Sequence, residues 1–387
     1  MPAVRNPCTM TSYDGDTVRS IPWAEIAAPL VAAEDAVARL DERLARSPVR
    51  EGFVERFHFQ DAAAALWLEG ELVHLEDLVL HDAHMDIRTP THELTRAHAV
   101  LRTRRQIFSN PPDWALGREG LRQLAGRGMP AAKPADGREG EGGDALADSM
   151  EPDDAESEEA MLTDEFAAID AVLERSRAVL DGVAVARPAR PEAAPERDPL
   201  VYDPDWDEEA RLEEWRATLV RTADLPPVLA AALLWDAWER IAPLEHQSWL
   251  GVLLVESMLR QRRKTTAHLF SLNAGLRVVA RERRRHRDRR TRLLAFLDGV
   301  SEAAALGLKE HDRLTLAREQ MLRRLKGRRG HSKLPRLVGY ALSRPLVSSA
   351  MIEKELKVTT RGALNLVAEL GLREITGRGR YRAWGII

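Results

Sequence analysis

Apolar side chains recur every three or four positions through most of this chain, the period of amphipathic helices. Between Trp23 and Ser47, Ile26, Leu30, Val31, Val37 and Leu40 fall broadly on one face with charges opposite, and Ser47-Pro48 closes the segment. The same period predicts helices over roughly 53–83 and 91–107, the latter opened by Thr91 with Glu93 in its first turn, where an acid suits the helix dipole. It returns over about 162–186, 206–221, 225–241, 245–263, 267–298 and 309–326. Strand-like alternation is confined to the last fifteen residues. The expected fold class is mainly α.

The pattern lapses in a few places, and these mark expected boundaries. Residues 1–20 read as a disordered N-terminus, followed by an N-terminal helical region over 21–128. Residues 129–161, including "KPADGREGEGGDALADSMEPDDAESEEA", hold many Gly, Asp and Glu and almost no large apolar side chains, so they cannot bury enough surface to offset ordering entropy. That stretch reads as an acidic disordered linker. Residues 162–200 read as a helix and the spacer "ARPARPEAAPERDP", 201–328 as a helical domain, and 333–387 as a C-terminal module. No repeat with a period of 20–50 residues is present.

The C-terminal module divides into three short helices, about 334–343, 348–356 and 360–370. Ser348 and Thr359 are suited to N-caps, Lys357-Val358 to a tight connection and Gly371 to a C-terminal stop. Ile352, Leu356, Val358, Ala363, Val367 and Leu370 would share a core, with small Ala350 and Ala363 letting two helices cross closely. This is helix-turn-helix spacing. The third helix would be the recognition helix, presenting Thr359, Thr360, Arg361, Leu364 and Asn365. Arginine pairs with guanine edges and asparagine with adenine, while threonine hydroxyls and a helix N-terminus suit phosphate. "LREI" and "RYRAW" then read as a hairpin around Thr376-Gly377-Arg378-Gly379, a wing carrying Arg373, Arg378, Arg380, Tyr381 and Arg382 over phosphates or a minor groove. Trp384 is expected to pack back onto the helices. The alternative for such a unit is docking to another protein.

Charge sharpens this reading. The formal net charge is only −4, yet Leu259–Ile387 holds 31 Lys and Arg against 11 Asp and Glu, leaving 26 against 50 for the remainder. Such polarity suggests a polyanion-binding end and an acidic end. The expected partner is double-stranded DNA. Dimerisation through the helical body would enlarge a site of which one small module reads few bases. The single cysteine, Cys8, leaves no disulfide framework or cysteine zinc site within one chain, which fits a reducing cytoplasm. No apolar run has the length of a membrane span.

Other candidate chemistry is weaker. His58, His74, His81, His84, His92 and His98 crowd one region, and His74, Asp77, His81 and His84 would share a helical stripe. A polar face with histidines in salt bridges is the preferred reading, with a metal site as the alternative. Seven arginines between Arg281 and Arg290 would point nearly all round one helix. They could meet phosphates, pair with the acidic linker, or only solubilise. No Walker A, GxGxxG or GxSxG motif is present. No cofactor and no metal are expected.

The stretch "RPLVSSAMIEKELKVTTRGALNLVAELGLREITGRGRYRAWGI" resembles the terminal helix-turn-helix of a bacterial family in which it follows a helical domain of unknown function. Residues of about 210–325 resemble that domain. The resemblance implies DNA binding and no established chemistry. A more distant similarity is to Fic-type nucleotidyl transferases, helical proteins whose loop reads HPFxDGNGRxxR. The counterpart here is "APLEHQSWLGVL", with Ala242 at the catalytic histidine position, His246 at the metal-binding acid, Gln247-Ser248-Trp249-Leu250 in place of the glycine-rich nest, and only Pro243 retained. "AALWLEGE" resembles the Fic inhibitory motif through Glu69-Gly70, with Ala65 replacing its Ser or Thr. This similarity implies a Fic-like body whose catalysis is lost, because base, metal carboxylate and phosphate-cradling backbone are all replaced. Transcriptional regulation through a winged helix-turn-helix is the leading expectation. A divergent nucleotidyl transferase or toxin, and an interaction scaffold, are the alternatives.

Overall fold

The computed structural model describes residues 21–86, 89–126, 206–325, 333–375 and 382–386. The expectations for 1–20, for the acidic linker, for the helix and spacer of 162–200 and for the hairpin tip, including Arg378, Arg380 and Tyr381, lie outside the described residues.

The first helices are α1 (Trp23–Ala45), α2 (Arg50–Glu69), α3 (Leu75–Asp82), α4 (His92–Ser109) and α5 (Arg118–Leu124). They are followed by α6 (Glu208–Arg221), α7 (Pro227–Ile241), α8 (Leu250–Gln261), α9 (Leu272–Leu276), α10 (Arg281–Arg284) and α11 (Arg289–Leu325). The chain then forms α12 (Leu334–Ser343), β1 (Val347–Ser348), α13 (Ser349–Leu356), α14 (Thr360–Leu370), β2 (Arg373–Glu374) and β3 (Ala383–Gly385). The protein is mainly helical, as the periodicity predicted.

Helix α1 buries Ile26, Leu30, Val37 and Leu40 as expected, whereas Val31 turns to solvent at 68% exposure and Ala33 and Leu44 take its share of the face. The predicted 53–83 helix is two. Gly70 adopts φ +94° and its N–H returns to the Leu66 and Trp67 carbonyls, a left-handed stop that a residue with a side chain resists. The predicted 267–298 helix is three pieces, and its last part continues through the expected break to Leu325. Asp288 restarts the helix by accepting bonds from the Thr291 N–H at 3.1 Å and the Thr291 hydroxyl at 2.9 Å. Gly299 and Gly307, which weaken a helix by propensity alone, lie inside α11 because Leu276 and Leu40 occupy the space beside them.

Helix α11 spans 37 residues and is the axis of the body. Helices α1, α7, α9 and α12 pack along it, and α2 packs on α4, α9 and α12. The approach of α9 to α11 is close: a Cβ at Gly275 would lie 2.0 Å from the Gly299 carbonyl oxygen. Between α2, α4, α8 and α9 sits a buried polar knot. Arg104 Nη1 donates to Asp61 and Glu256, each at 2.5 Å, and Nη2 donates to the Phe270 carbonyl at 3.1 Å. Asn273 and the Ala274 N–H complete Asp61, and the Leu272 N–H binds Glu256. One guanidinium faces two carboxylates here. Burial, only partly offset by Arg104, pushes Glu256 well above the usual carboxylate range.

Candidate nucleic-acid interface

The last helices are built as their sequence specifies. Ser348 Oγ accepts from the Met351 N–H at 3.2 Å and caps α13, and Thr359 Oγ1 accepts from the Gly362 N–H at 3.2 Å and caps α14. Lys357 turns the chain between them in the left-handed region, φ 51°, and Gly371 ends α14 at φ 67°. Ile352, Leu356, Ala363, Val367 and Leu370 are buried, and Val358 is half-buried. Ala350, expected at the helix crossing, is exposed. Met351 is buried beside Ile352 instead, because the cap at Ser348 sets the rotation of α13.

Burying Ala363, Val367 and Leu370 leaves the opposite face of α14 in solvent. Thr359, Thr360, Arg361, Leu364 and Asn365 are all exposed, on the first two turns. Arg361 forms no ion pair among the described residues, so its guanidinium is available. The capped end adds the partial positive charge of free N–H groups.

The strands form a three-stranded antiparallel sheet in the order β1-β3-β2. Arg373 pairs with Gly385 and Glu374 with Trp384, so the predicted hairpin arms meet. The sequence reading missed β1, in which Val347 faces Trp384; a two-residue strand has no periodicity to betray it. Trp384 is buried, as expected. Arg373 is exposed and makes no ion pair among the described residues. Arg382 is engaged: Glu374 accepts from its Nη2 at 2.6 Å and its Nε at 2.9 Å, and its guanidinium lies 5.4 Å from the Trp384 ring centre.

The module is fastened to the body by arginines that no motif flagged. Arg56 of α2, almost fully buried, reaches Glu310 of α11 at 3.0 Å, the Ala341 carbonyl at 3.4 Å and the Arg344 carbonyl. Arg313 donates to the Ile386 carbonyl at 3.0 Å and Arg324 to that of Leu370. Arg344 meets Asp82 of α3 at 3.2 Å. Lys333 Nζ donates to the Leu356 and Lys357 carbonyls, both at 2.8 Å, and so satisfies the end of α13. Gly52 lets α2 touch α12, since a Cβ there would lie 2.9 Å from the Leu342 carbonyl oxygen.

Residues 334–387 match the family described as an HTH DNA-binding domain, and residues 200–326 match a protein of unknown function, DUF1612. The chain is 53% identical over 367 residues to the uncharacterized protein y4cF of Sinorhizobium fredii (strain NBRC 101917 / NGR234), covering 90% of this chain and 93% of that protein. The chain belongs to this DUF1612–helix-turn-helix family. In it, the DUF1612 region supplies α6 to α11, and the HTH DNA-binding domain begins with α12.

The other singled-out residues scatter. His74 precedes α3, His81 lies on it, and His84 follows it at φ 56°, so the expected stripe does not exist. His81 Nδ1 lies 2.9 Å from Asp86, and His98 lies 3.4 Å from Asp82. Burial opposes the charge on Asp82, yet His98, Arg105 and Arg344 outweigh it and hold the carboxyl well below the usual range. Among the described residues, no three His, Cys, Asp or Glu side chains converge as metal ligands would. Of the arginine run, Arg289 binds the buried Asp236 together with Arg292 just beyond it, Arg283 meets Asp298 at 2.6 Å and Arg290 meets Glu25 at 2.7 Å. Several of these charges are therefore satisfied within the body. No helix among the described residues is long and apolar enough to cross a membrane.

Proposed function

We propose that this protein regulates transcription by binding double-stranded DNA, with α14 in the major groove and the β2–β3 hairpin as its wing. The observation that carries this reading is the row Thr359, Thr360, Arg361, Leu364 and Asn365 on the capped, solvent-facing start of α14, within a module matched to an HTH DNA-binding domain. Arg361 and Asn365 read base edges. The threonines and the helix end hold phosphate. On the wing, Arg373, Arg378, Arg380 and Tyr381 follow the backbone. Arg382 keeps part of its charge on Glu374 and contributes less. Two copies joined through the body would present two recognition helices to one site.

Selection of bound duplexes from a random pool, followed by anisotropy titrations of the winning sequence, tests this directly. Specific binding that Arg361→Ala and Asn365→Ala both weaken supports it. A module that binds no duplex at low salt, or binds equally well without these side chains, contradicts it. Light scattering with and without the duplex tests the dimer.

A further inference from the structure

The C-terminus of α2 and the turn after it face α10. Between them lies a cleft of about 400 Å³, lined by Trp67 to Leu72 on one side and by Arg281, Arg284 and Arg285 on the other. The basic wall is unusual. Arg284 is buried, held by one hydrogen bond from Nε to the Val279 carbonyl at 3.0 Å. Its burial and the neighbouring Arg285 and Arg281 charges push its guanidinium down, with Glu239 offsetting part of that effect. Arg281 and Arg285 are exposed and form no ion pair among the described residues, unlike Arg283, Arg289, Arg290 and Arg292 nearby.

Glu239 offsets part of the charge of Arg284 and Arg285, but the acids of the facing turn are engaged elsewhere. Glu69 is taken by Arg96 and the Ser248 hydroxyl, and Glu71 gives one oxygen to Arg96. The other Glu71 oxygen is shielded from solvent without a hydrogen-bond partner among the described residues. Trp67 and Leu72 stay 38% and 68% exposed, apolar surface at the same cleft. Three clustered like charges cost free energy in the empty protein and favour an anion that sits among them.

We infer that this cleft binds a phosphate-bearing small molecule, with Arg281, Arg284 and Arg285 taking its anionic group and Trp67 and Leu72 covering a ring-shaped or apolar body. Its size suits a small ligand. A DNA backbone, the other source of phosphate, could reach the two exposed arginines but not the buried Arg284.

The test is calorimetry and thermal denaturation of the full chain with inorganic pyrophosphate, at constant ionic strength, for the natural protein and for Arg281→Ala/Arg285→Ala. Pyrophosphate is expected to bind and raise the Tm of the natural protein, and the double variant to bind about tenfold or more weakly. Without ligand, the double variant should keep the far-UV circular dichroism and the cooperative melt of the natural protein, which separates lost binding from misfolding. Absence of pyrophosphate binding at millimolar concentration, or equal binding by both proteins, overturns the inference. So does a double variant that loses duplex-DNA affinity while pyrophosphate binds neither protein, since the arginines would then be DNA contacts.

Discussion

In the proposed mode of binding, Arg361 and Asn365 differ in kind from the arginines of the hairpin. A side chain that reads a base edge carries discrimination, so Arg361→Ala and Asn365→Ala should each cost about 1–3 kcal/mol on the preferred duplex and relax preference at one position. A phosphate contact carries charge alone. Arg378→Ala should weaken binding to all duplexes alike and reduce the slope of log affinity against log salt by about 1. Anisotropy titrations across a salt series separate the two. Arg382→Ala should change the slope less, because Glu374 already holds that guanidinium. All of these residues were legible in the sequence as types at helix-turn-helix spacing. The Arg382–Glu374 pair was not, since it depends on the register of β2 against β3.

Helix ends and crossings decide the elements. Asp41 of α1 anchors the 266–268 loop, accepting from the Thr266 N–H at 2.8 Å, the Thr266 hydroxyl at 2.7 Å and the Ala267 N–H at 2.9 Å, with His268 at 3.1 Å. Burial opposes its charge, but these bonds prevail and lower its pKa to about 2. The folded value lies below the unfolded one. Its contribution, about 2 kcal/mol, is therefore complete above the unfolded pKa and lost as pH falls through the folded pKa. Asp41→Asn should lower stability at pH 7, and the gap to the natural protein should close as pH falls toward about 2; urea denaturation across pH measures it. Gly275→Ala should destabilise by about 1–3 kcal/mol or more, because backbone faces backbone at the α9–α11 crossing and cannot yield. Caps at Ser348, Thr359 and Gly371 were visible in the sequence because they are local. The breaks within 53–83 and 267–298 were not, because amphipathic period alone does not show where a helix stops.

For the whole molecule, the Arg104–Asp61–Glu256 knot joins four helices distant in sequence. Arg104→Ala would leave the buried Asp61 and Glu256 side chains without the guanidinium that binds both and should cost about 3–5 kcal/mol. Glu256→Gln should be far milder, since burial already favours the protonated form of that group. Thermal denaturation of the two variants checks the contrast. Arg56, Arg313, Arg324 and Arg344 likewise tie the helix-turn-helix to α2, α3 and α11, so the module has a fixed orientation on the body.

The sequence by itself determined the helical class, the capped helix-turn-helix and the polar face of α14, because periodicity, caps and stops act within a few residues. Tertiary structure alone decided where α11 begins, which arginines are consumed by buried acids such as Asp236, which hold the module to the body, and which three are left around a cleft. A charged side chain's role depends on the partners within reach and on how much water remains around it, and both are set by residues tens to hundreds of positions away.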